Sequence, residues 1–265
     1  MNIRIGNQTA FAAANFLDPF LYAVGNRFEA FEWFPDKRSS GAGWDETDIS
    51  DGLRAKLKQS GQSAGMRFSV HARWTANPLQ PGSLPVLLQD LELAQSLGAA
   101  LLNLHLYVDS SPEAYAEALL PLLHKAAESG IQLSIENSPE TTPQQFNDFF
   151  AALARLAPAD AKHAGMCFDL GHANLCATTR NNYLAYLDQL GPHVRIIHLH
   201  VHENWGDADS HLPLFTGPSA HDARGVEGFV ARLRARGYTG SLILEQWPQP
   251  PTLLNKARER LLEML

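Results

Sequence analysis

Six short apolar runs in this chain each lead into a side chain able to bind a metal: His71, His105, Glu136, Asp169, His200 and Glu245. Two close spacings set further donors beside them, Asp169-Leu170-Gly171-His172 and Asp209-Ser210-His211. Donors that recur after successive strands can converge only if those strands run parallel, because only then do the carrying ends share one edge. A closed parallel barrel gathers every such end around one mouth. The pattern predicts a metalloenzyme on such a scaffold.

The rest of the chain fits that architecture. Strand candidates fall at Ile3–Gly6, Phe28–Phe34, Arg67–Val70, Leu101–Leu106, Gln132–Ile135, Gly165–Phe168, Val194–His200 and Ser241–Leu244. Helix-like stretches alternate with them, among them Pro85–Leu97, Pro112–Ser129, Pro143–Leu156, Val226–Arg236 and a last one over Thr252–Leu265. Ser111 before Pro112 and Thr142 before Pro143 place a capping residue ahead of proline at the first helical position. Gly98, Gly130 and Gly237 supply the left-handed residue that ends a helix. Eight strand–helix units predict an α/β fold, a (β/α)8 TIM barrel formed as a single domain over residues 1–265. An open doubly wound sheet competes, but it gathers its ligand at one switch point and needs fewer functional strand ends. The long irregular stretches Pro35–Thr47, Ala72–Ser83 and Glu203–Ala223 follow strands two, three and seven, where lids over a catalytic face are expected.

Composition narrows the function. The chain has 265 residues and a net charge of −7, which gives no overall attraction for nucleic acid or anionic lipid. No apolar run reaches the ~18 residues of a membrane span, and the start of the chain lacks a signal-peptide apolar region. Two cysteines, Cys167 and Cys176, make no disulfide framework. A cytoplasmic protein is expected. Neither cysteine has an evident general base beside it in sequence, and no Gly-rich phosphate loop is present, which disfavours thiol and nucleotide chemistry.

The donors differ in what they signal. Gly165–His172 is the most specific segment: a buried strand ends in Asp169, and Gly171 permits a turn that returns His172 beside it. A carboxylate with an imidazole suits zinc, manganese or a similar ion, while a helix-capping Asp with an incidental His is the competing account. In Ile196–His202 three histidines alternate at strand period and lean to one face. Of these His200 is the ligand candidate, His202 a substrate contact or a support for a ligand, and His198 a hydrogen-bonded interior histidine. Asp209 and His211 can chelate one ion from a loop. Glu136 and Glu245 stand where buried strands give out, so each needs a metal or another cation; a salt bridge across the mouth would also serve. Glu32 either lines the pocket or forms an interior ion pair. Arg73, Trp74, Trp205 and Trp247 lie just past strand ends and suit the floor and edge of a sugar or phosphosugar pocket, although packing beneath loops explains the tryptophans equally.

These segments resemble the xylose-isomerase-like barrel superfamily, which includes endonuclease IV and many sugar isomerases and epimerases. The resemblance spans nearly the whole chain, through Ser69–Ala72, Ser134–Ser138, Phe168–Asn174, His198–Asn204, Asp209–Pro213 and Gly240–Glu245. It implies that Glu136, Asp169, His200 and Glu245 hold one divalent ion, as in the epimerases. It further implies that His71, His105, His172, Asp209 and His211 match the additional ligands of the trinuclear zinc site in endonuclease IV. The expected cofactor is therefore zinc or manganese, one to three ions per chain.

Two chemistries follow. The first is metal-assisted proton transfer on a sugar or sugar-like hydroxyketone, an isomerase or epimerase with Glu136 and Glu245 as the catalytic base and acid. The second is phosphoester hydrolysis by a multinuclear zinc site. The acidic chain and loops poor in basic residues favour the first, with a small sugar or sugar phosphate as partner rather than nucleic acid. A sugar-binding barrel without catalysis is the least favoured reading, because it gives no reason to keep so many charged groups together.

Overall fold

The structure is a computed structural model that describes residues 3–265; the expectation that Met1 and Asn2 lead directly into a strand lies outside them. Eight parallel strands close into a barrel in sequence order. They are β1 Arg4–Gln8, β2 Ala30–Trp33, β3 Arg67–His71, β4 Leu101–His105, β5 Gln132–Glu136, β6 Ala164–Asp169, β7 Ile196–Val201 and β8 Ser241–Leu244. β1 runs two residues further than its apolar pattern indicates, because Gln8 pairs with Glu32 of β2 while Arg4 pairs with Ser241 of β8.

The helices are α1 Asp18–Gly25, α2 Asp51–Ser63, α3 Ser83–Leu97, α4 Pro112–Glu128, α5 Pro143–Leu156, α6 Leu170–Leu175, α7 Tyr183–Gln189, α8 Arg224–Ala235 and α9 Thr252–Met264. The sixth unit carries two short helices where one was expected. Local chemistry sets several ends: Ser111 Oγ accepts from Ala114 N–H at the start of α4, and Thr142 with Gln145 forms a reciprocal cap on α5. Gly98 ends α3 in the left-handed conformation at φ +74°. The outward strand faces and inward helix faces form one continuous apolar core, with Trp33, Tyr115, Phe149, Phe168 and Phe229 among its buried members. Among the described residues no helix is long and apolar enough to cross a membrane.

The barrel interior is unusually polar. Strand registers stack His198 beside Cys167 and Ser241, and set His105 beside Glu136 and Asp169 beside His200. Side chains here satisfy one another in a ladder beneath the mouth. Ser69 Oγ donates to Glu32 at 2.8 Å, Ser134 Oγ donates to Asn103 at 2.5 Å, and Asn103 donates in turn to Glu136. A buried polar layer of this kind specifies side-chain positions because each member is costly to leave unpaired.

Candidate metal centre

Ten donors meet at the C-terminal ends of the strands. Glu136 is fully buried and forms the hub: His71 Nε2 lies 3.2 Å from it, His200 Nδ1 3.2 Å, His172 Nδ1 3.4 Å and His105 Nε2 3.5 Å. His200 Nδ1 is also 3.5 Å from Glu245 and 4.0 Å from Asp169. On the outer side, Asp209 Oδ2 is 3.2 Å from His211 Nε2 and 3.3 Å from His172 Nε2. His202 Nε2 stands between the two regions, 3.3 Å from Asp169 and 3.7 Å from Asp209. Four of the resulting sets have ligand atoms all within 4.8 Å of one another: His71-Glu136-His200-Glu245, His105-Glu136-His172, His172-His202-Asp209-His211, and Asp169-His202-Glu245. Every metal donor expected from the sequence lies in this cluster, and His202, expected to contact substrate or support a ligand, is among the donors too.

The histidine orientations fit a metal site. In four rings one nitrogen is held by a backbone oxygen or by Glu32, which leaves the other to face the donor set; in His172 the held nitrogen, Nδ1, also lies 3.4 Å from Glu136. His71 Nδ1 donates to Ala72 O at 2.6 Å, His172 Nδ1 to Asn137 O at 2.8 Å and His211 Nδ1 to Glu245 O at 2.9 Å. His200 Nε2 makes a close, imperfectly aligned contact of 2.7 Å with Glu32 Oε1. With the proton on the held nitrogen, the lone pair of the other one faces carboxylate oxygens, an arrangement that favours a cation between them. The buried atoms Glu136 Oε1, Asp169 Oδ2, His200 Nδ1, His202 Nε2 and Glu245 Oε2 have no hydrogen-bond partner. Imidazole and carboxylate donors with their valences turned inward fit a zinc- or manganese-class ion.

Electrostatics follow from this crowding. Burial opposes the charge on Glu136, yet His200 and His105 outweigh it and hold its carboxyl well below the usual range. Burial dominates at Glu245 and raises its carboxyl. Burial also opposes the charge on His211, but the hydrogen bond to Asp209 wins and lifts it to about 9. Asp169 has a second task, accepting from His172 N–H at 2.6 Å and so capping α6.

The mouth opens into a cavity of about 590 Å³ lined by Phe11, Phe34, Trp74 and Trp247 beside the histidines. Gln8 and Gln246 also line it, each with side-chain amide atoms that lack a partner. Both were missed in the sequence, although Gln246 directly follows Glu245. Two expected substrate residues lie elsewhere. Arg73 is held between Glu46 at 2.5 Å and Asp90 at 3.3 Å and does not line this cavity. Trp205 borders a separate cavity of about 420 Å³ with Asn174 and Tyr183. The guanidinium at the mouth belongs to Arg38, stacked 4.7 Å from the ring centre of Phe11.

Three other expectations are revised or resolved. Gly171 lies within α6 and needs no special turn; a Cβ there would stand 2.0 Å from His202 Cε1, so the missing side chain makes room for that imidazole. Cys167 does have imidazoles beside it, His198 and His200, because the β6–β7 register brings them together. Burial nonetheless pushes the thiol well above its usual range and keeps it protonated. Glu32 is an interior partner, receiving His198 Nε2 at 2.8 Å.

The sequence model of the family described as xylose isomerase-like TIM barrel matches residues 21–264. The chain belongs to that family. Its resemblance to other xylose isomerase-like barrels is clearest in the fold. A D-tagatose 3-epimerase-like protein superposes with a TM-score of 0.75 at 20% identity, covering 99% of this chain and 97% of the other. An L-ribulose 3-epimerase gives a TM-score of 0.71 at 17% identity, covering 99% and 94%. In sequence, the uncharacterised protein MJ1311 of Methanocaldococcus jannaschii is 28% identical over 145 residues, 52% of this chain and 45% of that protein. The chain spans about half the length of the curated relatives it matches.

Proposed function

We propose that this xylose isomerase-like barrel is a divalent-metal-dependent isomerase or epimerase of a sugar or sugar-like hydroxyketone. The observation that carries the reading is the inward-facing set Glu136, Asp169, His200 and Glu245, whose buried atoms lack partners and whose Glu245 also lines the cavity of about 590 Å³ at the mouth. A divalent ion held by these four residues would supply Lewis acidity, which would acidify a C–H beside a carbonyl. Glu136 and Glu245 reach the centre from β5 and from the end of β8, well separated around the barrel. They are placed to take a proton from one face of a substrate carbon and return one to the other. Gln8 and Gln246 offer amide groups to sugar hydroxyls, and Trp74 and Trp247 offer flat apolar faces to the ring. The names of the epimerase neighbours agree with this chemistry, as does the net charge of −7, which disfavours a polyanionic substrate.

A second reading has an observation of its own. His71 and His105 on one side, and His172, Asp209 and His211 on the other, are more donors than one ion can use. A multinuclear zinc site performing phosphoester hydrolysis accounts for them, with all nine expected ligands engaged.

One experiment separates the two. Protein purified without chelator is analysed for metal and then incubated in deuterated water with a panel of ketoses, ketose phosphates and phosphodiesters. The first reading expects about one ion per chain and deuterium entering at a single carbon beside the carbonyl. Nearly three ions, no exchange and cleavage of a phosphodiester would replace it with the second.

A further inference from the structure

We propose that the base of the barrel, the end remote from the metal-donor cluster, binds a small polyvalent oxyanion such as a phosphate ester. A cavity of about 730 Å³ opens there, bordered by Arg67, Arg195 and Arg236, with Gln132 and Tyr238 beside them and Ile196 in its wall. Among the described residues no carboxylate lines it. This site is independent of the chemistry proposed for the opposite end.

The arginines follow from strand register. Ser69 and His71 point into the barrel, since their side chains reach Glu32 and Glu136. Arg67, two residues before Ser69 on the same strand, therefore enters from below. Alternate strands supply each interior layer, and the lowest layer comprises Arg4 of β1, Arg67 of β3, Gln132 of β5 and Ile196 of β7. That end of a barrel ordinarily serves stability and is plugged by apolar side chains. Two arginines and a glutamine make a poor plug.

Nor are the charges cancelled within the protein. Among the described residues the arginine ion pairs belong to Arg73, Arg155, Arg224 and Arg232. Asp188, whose charge favours that of Arg236, is itself engaged by Arg232 with contacts of 2.6 Å. Arg236 is steadied at the rim by donating to Leu187 O and Leu190 O, both at 2.9 Å. Burial and the neighbouring Arg4 both work against the charge on Arg67. Arg67 is half-buried, and Arg195 and Arg236 reach the same cavity from the surface; a cation withdrawn from water beside like charges is costly unless an anion joins it. The planar fork of arginine matches phosphate and carboxylate oxygens in pairs. The ligand this favours carries at least two negative charges on a compact head, with a short apolar portion lying against Ile196 and Leu190.

Equilibrium dialysis of radiolabelled inorganic phosphate at constant ionic strength tests the assignment on wild type, Arg67→Gln, Arg195→Gln and His211→Ala. Phosphate held at the metal-donor end depends on His211, whereas phosphate at the base does not. The expected result is a bound phosphate that persists in His211→Ala and binds about tenfold more weakly in each arginine variant, the loss of one charge-assisted contact. Arg195 is exposed, so its substitution probes the site without disturbing the barrel even if Arg67→Gln folds poorly. Binding unchanged in both arginine variants, or abolished by His211→Ala alone, overturns the proposal.

Discussion

His200 Nε2 lies 2.7 Å from Glu32 Oε1, and this contact between β7 and β2 turns the other ring nitrogen toward Glu136 and Glu245. Glu32 touches no part of the cavity, but it sets which atom of His200 faces the centre. Its second oxygen takes hydrogen bonds from Ser69 and His198, which fixes the carboxylate in place. Glu32→Gln should therefore weaken zinc or manganese binding about 10–100-fold, the usual effect of losing the group that orients a ligand. Competition against a chromophoric chelator measures this; unchanged affinity would remove Glu32 from the centre's support.

Chelation should destabilise the protein. Glu136, Asp169 and Glu245 crowd together with inward atoms unpaired, so an ion bound only by the folded state stabilises it through mass action. Dialysis against EDTA is expected to lower Tm by about 5–10 °C, with recovery on adding zinc or manganese. Identical melting curves before and after chelation would argue that the cluster holds no ion.

Glu245→Gln keeps the shape of the side chain but removes its proton chemistry. Turnover of the eventual ketose substrate should fall about 10²–10⁴-fold, the typical worth of a general acid or base. Binding of a substrate analogue, followed by calorimetry, should change little. Retained turnover would exclude Glu245 as an acid or base.

Gly171→Ala tests the packing against His202. The added Cβ would meet the imidazole at 2.0 Å and at 2.3 Å from its Nδ1, so the ring must move. A cost of about 1–3 kcal/mol is expected from such overpacking, read from urea unfolding, together with altered metal binding on the outer side of the cluster. A variant equal to wild type in both measurements would mean that His202 has room to relax.

The metal-free protein should lose stability with rising pH through His211. Its folded-state pKa is raised to about 9, despite burial, by Asp209 and Glu245. A raised histidine pKa contributes stability that is fully present below its unfolded value, about 6.5, and is lost as pH climbs through about 9. The urea midpoint of chelated protein should fall across that window in wild type and less so in His211→Gln. Zinc affinity should rise over the same range, because binding displaces the proton.

The strands were legible because a buried parallel strand announces itself locally, as an apolar run bounded by turn residues. All eight appear within two or three residues of their expected limits, and α5 matches its expected span, Pro143–Leu156. Helix ends were legible for the same reason: Ser111, Thr142 and Gly98 act on backbone groups only a few residues away. The donors could be found as a set because each follows a strand, and parallel closure leaves them one place to meet.

What the amino-acid order determined alone was thus the repeating unit, its closure and the chemical types at the mouth. Pairing across long separations decided the rest. Arg73 was drawn from the mouth by Asp90 on α3 and Glu46 before α2, Trp205 fell beside a different cavity, and Gly171 proved to serve His202 rather than a turn. Glu32 and His200, 168 positions apart, became partners only through barrel register. Side-chain periodicity is a local property of the backbone, whereas which nitrogen or guanidinium faces which oxygen depends on how distant strands are staggered and what their loops carry past them.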